Sequence, residues 1–81
     1  TINQQQAEIR KLQELLKTDD EIIALRNSIR KTASAQLENG VINSGDYLRE
    51  ANAEDQAIQN RILHEIQLLL ALYNQQTTTG N

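Results

Sequence analysis

The sequence predicts an all-α fold: a long antiparallel two-helix hairpin, coiled-coil-like in its packing and oligomeric as a fragment. Three observations carry this. Apolar residues recur at three-four spacing on both sides of the middle of the chain. Between them, Gln36-Leu-Glu-Asn-Gly-Val-Ile-Asn-Ser-Gly-Asp46 holds the one clear reversal signal. Proline is absent, so none breaks the helical pattern elsewhere.

The first helix is expected from about residue 4 to residue 38. Ile9, Leu12 and Leu16 follow one face, and Ile22, Leu25, Ile29, Ala33 and Leu37 follow the same spacing further on. Between Leu16 and Ile22 the spacing slips, and Thr18 followed by Glu21 has the form of a capping box. Either the helix restarts there or one helix passes through a coiled-coil phase shift. No glycine or proline enforces a break, and Lys17 can pair with Glu14 or Glu21, so the continuous helix is favoured. Such a helix spans about 50 Å. Arg26, Arg30 and Lys31 form the only basic cluster, either a solvated face or a docking surface for an acidic helix. The small side chains of Thr32, Ala33, Ser34 and Ala35 let another helix approach closely, or serve as filler.

The turn is expected over residues 39–43. Gly40, preceded by Asn39, can take the positive φ that ends a helix. Val41 falls where a Schellman ending places a hydrophobic contact back to the last turn. Asn43 can cap the next helix, and Asp46, three residues on, can complete a capping box with its carboxylate. A loop this short makes the helices antiparallel neighbours.

The second helix is expected from residue 44 to about residue 75, with a frayed tail over 76–81, where helix propensity is weak. Asp46, Glu50, Glu54 and Asp55 load its first turns with negative charge, and the earliest suit the helix dipole. Leu48, Ala51, Asp55, Ile58, Ile62, Glu65, Leu69 and Leu72 trace a heptad-like seam, interrupted at Asp55 and Glu65. From Ile62 to Tyr73 the apolar surface becomes too broad for one partner helix to cover. That predicts self-association or a neighbouring chain, with Ile62, Ile66, Leu69, Leu70 and Tyr73 as packing residues. A charge at Leu69 is expected to weaken both folding and association.

At 81 residues the chain holds one domain at most. A two-helix hairpin has no enclosed interior, so any apolar face beyond one stripe per helix needs a partner. Net charge is −3 with the signs interspersed; no basic stripe forms, which argues against nucleic acid. Cysteine is absent, which removes disulfide and thiolate chemistry. No apolar run approaches the roughly 18 residues of a membrane helix. The start at Thr1, with no initiator methionine and no apolar signal core, reads as an excised fragment or processed product.

Enzyme chemistry finds little footing, and no enzyme, cofactor or metal is expected. His64 is the only histidine. Without cysteines it makes a poor zinc site, and it reads as a helix-surface or inter-chain hydrogen-bonding residue. Asp19-Asp20-Glu21 is acidic enough to attract a cation but lacks the glycine and ligand spacing of a calcium loop. Gly45 near a helix start could face an anion, but Asp46 opposes it.

The run from Leu37 to Ala51, followed by a long helix ending Leu-Leu-Leu-Ala-Leu-Tyr-Asn-Gln and a Thr-Thr-Thr-Gly tail, resembles the last helical hairpin of the TolC-like outer-membrane efflux family. That family places Gly-Val or Gly-Thr at the tip and begins the returning helix with Asp-x-Leu. Gly40-Val41 and Asp46-Tyr47-Leu48 are similar, as is Thr79-Gly80 to the Thr-Gly after the family's last long helix. The resemblance implies a trimeric channel in the outer membrane of a Gram-negative bacterium, with this segment in the wall of the periplasmic tunnel. It implies a tip of Leu37, Gly40, Val41 and Ile42 that docks a periplasmic adaptor protein, in a tripartite efflux pump or type I secretion system with an inner-membrane pump.

At the gate this chain departs from the family's best-known pattern, in which a tyrosine and an arginine tie the closed state and two aspartates ring the tunnel mouth. The matching positions hold Leu37, Ile42, Asp46 and Arg49, and only Asp46 keeps its type. Three-fold symmetry implies a ring of Asp46 carboxylates, with Arg49 able to neutralise it and an apolar constriction at Leu37 or Ile42 as the other possibility. The alternative from periodicity alone is a free-standing coiled-coil module for protein interaction or oligomerisation.

Overall fold

The computed structural model describes the backbone of residues 2–79 and the side chains of residues 4–75. Helix α1 spans Ile2–Glu38 and helix α2 spans Ser44–Thr79. They lie side by side, antiparallel, in a rod of 61 × 14 × 13 Å. The chain is thus all-α, an extended hairpin of coiled-coil type. α2 stays helical to Thr79, past the end expected near Gln75. The rest of the expected frayed tail, residues 80 and 81, lies outside the described residues.

α1 is continuous, and the phase slip expected across Lys17–Glu21 is absent. The face turned to α2 is Ile9, Leu12, Leu16, Asp19, Ile23, Arg26, Arg30, Ala33 and Leu37, every member buried or half-buried. That row alternates steps of three and four without interruption, the pattern of a heptad seam. The slip arose from following apolar residues alone, because the seam passes through Asp19. Ile22 and Leu25, which the apolar spacing places on the seam, stand off it and are exposed.

α2 shows a larger correction. Its buried and half-buried face is Tyr47, Glu50, Glu54, Ala57, Arg61, His64, Leu68, Ala71 and Gln75, again in unbroken three-four steps. The heptad row expected from sequence, Leu48, Ala51, Asp55, Ile58, Ile62, Glu65, Leu69 and Leu72, is exposed except at Ala51, which is half-buried. Each member follows a residue of the buried face by one position, about 100° around the helix, and so stands off the contact with α1. Charge complementarity accounts for the choice. Asp19 and Arg30 lie on the α1 seam, and the face of α2 that meets them supplies His64 and Glu54. Turning the apolar row inward would leave both charges desolvated and unpaired.

The consequence is a thin core. Among the described residues the buried apolar side chains are Ile9, Leu12, Ala33 and Ala57, and no large side chain is fully enclosed. The accessible surface is 6002 Å². A compact monomer of this mass would show about 4,900 Å².

Candidate functional site

The reversal is built as a full Schellman ending. Gly40 sits at φ 74°. Its N–H donates to the Leu37 carbonyl at 3.1 Å, and the Val41 N–H donates to the Gln36 carbonyl at 2.8 Å. The hydrophobic contact expected from Val41 is weak, since that side chain is 68% exposed. The next helix opens on a capping box: the Asp46 N–H donates to Asn43 Oδ1 at 2.8 Å, and the Asn43 N–H reaches Asp46 Oδ2 at 3.5 Å. An ideal Cβ at Gly40 would meet nothing within 4 Å. The backbone at the tip is therefore held firmly while its outer side stays open.

The tip residues named from sequence are not all alike. Gly40 and Val41 stand at the surface, whereas Leu37 is half-buried at the end of the seam. Ile42, Asp46 and Arg49 come together beside Ser28, Thr32 and Gln36, lining a groove of about 450 Å³ next to the turn. Arg49 Nη1 lies 3.9 Å from Asp46 Oδ1, a solvent-exposed pair of small energetic weight.

Between the helices runs a ladder of polar pairs that the sequence reading missed. Asn27 Nδ2 donates to Glu54 Oε2 at 2.7 Å, and Arg30 Nε to Glu54 Oε1 at 2.6 Å. Arg61 Nε donates to Asp20 Oδ1 across the helices at 2.6 Å, and Arg61 Nη1 to Glu65 Oε2 within α2 at 2.7 Å. His64 Nδ1 lies 2.5 Å from Asp19 Oδ2. So Arg30 belongs neither to a solvated face nor to a docking patch; it is half-buried and committed to Glu54. His64 is tied within the hairpin rather than between chains. The available signal was the regular spacing of Glu54, Ala57, Arg61, His64 and Leu68, which apolar patterning passes over.

These contacts set charge states. The hydrogen bond from Asn27, followed by Arg30, holds the Glu54 carboxyl below its ordinary value of 4.5, against burial that pushes it up. Asp20 and then Glu65 raise the Arg61 pKa above its ordinary range. A carboxyl whose folded pKa is depressed adds stability that is fully present above its unfolded value and is lost as pH falls through the folded one. Thermal unfolding followed by circular dichroism is therefore expected to show a loss of stability from pH 6 to pH 3, and Glu54→Gln should shrink that loss. An equal loss in both proteins would contradict the assignment.

The packing residues named from sequence, Ile62, Ile66, Leu69, Leu70 and Tyr73, are 49% to 66% exposed and lie together on the outer face of α2. Leu48 and Ile58 extend that face toward the turn. Among the described residues no cluster of His, Cys, Asp and Glu could hold a metal ion, and no helix is long and apolar enough to cross a membrane. Comparison with protein-family models, curated proteins and solved structures finds no match. Fold and surface together define a coiled-coil-like helical hairpin that can mediate oligomerisation or protein interaction.

Proposed function

We propose that this hairpin is an oligomerisation and interaction module without a catalytic role, working through the outer face of α2. One observation carries the reading: the most apolar row of the described chain is left uncovered by the other described helix. Exposed aliphatic surface of this extent on so short a chain is costly in water unless another helix covers it. Sedimentation equilibrium should show concentration-dependent association of the chain. A monomer across a wide concentration range would overturn the reading.

A finer reading takes its support from the tip. In it the hairpin is a wall segment of the periplasmic tunnel of a trimeric, TolC-like outer-membrane channel. Gly40 and Val41 then form the centre of the adaptor-docking surface, with Asp46 and Arg49 near the tunnel mouth. A glycine at positive φ, open on its outer side and followed by an exposed Val41, suits close approach by a partner backbone. Gly40→Leu tests it. The positive φ makes a side chain there cost about 1 kcal/mol, which a long hairpin absorbs. The new side chain meets no neighbour within the hairpin, so it projects into the space a docked partner needs. In the full-length protein, drug resistance that depends on efflux should fall while trimer in the outer membrane stays normal. A matching change at exposed Gln59 should do far less. Normal resistance in Gly40→Leu would remove the tip from docking, and equal loss of trimer and resistance would make Gly40 merely structural.

A further inference from the structure

Resting on the reading of this chain as an oligomerising hairpin, we infer that the outer face of α2 receives the same face of a second copy, antiparallel. In that pairing Asp55 accepts a hydrogen bond from the hydroxyl of the partner's Tyr73. The exposed row Asp55, Ile58, Ile62, Ile66, Leu70 and Tyr73 advances in steps of three, four, four, four and three. It reads the same from either end, about a midpoint at position 64. An antiparallel copy centred there brings Ile62 level with the partner's Ile66 and Ile58 level with the partner's Leu70. Asp55 then falls level with the partner's Tyr73. Apolar meets apolar, and the one carboxylate of the row meets the one hydroxyl. The bond forms twice, once at each end, as a two-fold interface requires.

Charge decides the direction. In a parallel pairing through this row, Asp55 would face the partner's Asp55 inside an apolar seam, an unfavourable contact of like charges. In the antiparallel pairing the two carboxylates stand roughly 27 Å apart along the helices. That exceeds the screening length of about 8 Å in physiological salt. The area is also sufficient. The hairpin exposes 6002 Å², roughly 1,100 Å² more than a compact chain of its mass. A specific interface covers about 800 Å² on each partner. Asp55 and Tyr73 are both exposed and make no hydrogen bond or ion pair within the described residues, so both are available.

Two measurements on the 81-residue chain test this. Tyr73→Phe keeps the ring and removes only the donor, and the dimer Kd should rise about tenfold or more because two bonds are lost. For direction, the absence of native cysteine lets Ser44→Cys carry a single spin label on each copy. Antiparallel packing places the two labels roughly 60 Å apart, whereas parallel packing brings them within about 30 Å. A long distance together with the weakened Tyr73→Phe dimer is the expected result. A short distance, or an unchanged Kd in Tyr73→Phe, overturns the inference while leaving the chain an oligomer. A wild-type chain that stays monomeric removes the oligomerising reading and the inference with it.

Discussion

His64→Ala is expected to destabilise the hairpin by about 2 kcal/mol. Asp19 is the one buried charged residue among those described, 7% exposed, and His64 Nδ1 stands 2.5 Å from its carboxylate. The carboxylate can only accept, so the ring N–H is the donor. Truncating the ring leaves Asp19 desolvated and without that partner, and it opens a gap in the seam beside Leu68. A hairpin with so few buried apolar side chains has little reserve to offset such a loss. Chemical unfolding followed by circular dichroism measures the effect. Asp19→Asn combined with His64→Ala should cost less than the two single changes added together, because they remove one shared contact. A loss below about 0.5 kcal/mol in His64→Ala, the range of an ordinary surface change, would show that the pair does not hold the helices together.

Leu69→Asp should act on association instead. The sequence alone predicts that this substitution weakens folding and association alike. The structure separates the two, because Leu69 is 59% exposed and faces away from α1. Within a single hairpin the new carboxylate stays hydrated. In an assembly that covers the outer face of α2 it would be buried without a partner, which should raise the dissociation constant about 100-fold or more. Sedimentation gives the association, and helicity of the concentrated variant reports whether the chain still folds. Unchanged association would mean that the apolar face of α2 is not the contact surface.

The turn was legible residue by residue. Gly40, Asn43 and Asp46 act through their own backbone and its nearest neighbours, and local rules describe such contacts well. The exposed packing row was legible as an excess of apolar surface, because counting needs no knowledge of direction. The interhelical ladder was not legible. Asp19, Glu54, Arg61 and His64 look like surface residues until the facing helix is known, since each is acceptable inside the seam only with its counterpart opposite.

By itself the sequence determined two helices, the place and chemistry of the reversal, and more aliphatic surface than a two-helix hairpin can bury. Only the tertiary structure decided which face of α2 meets α1. Both faces of α2 carry a heptad row, one apolar through Leu48, Ile58, Ile62 and Leu69, the other polar and small through Glu54, Ala57, Arg61 and His64. Hydrophobicity alone would choose the first. The pairing of Glu54 with Arg30 and of His64 with Asp19 chooses the second, because a charge left unpaired between helices costs more than an aliphatic side chain left in water. That choice is what turns the apolar row outward and makes it available to a partner.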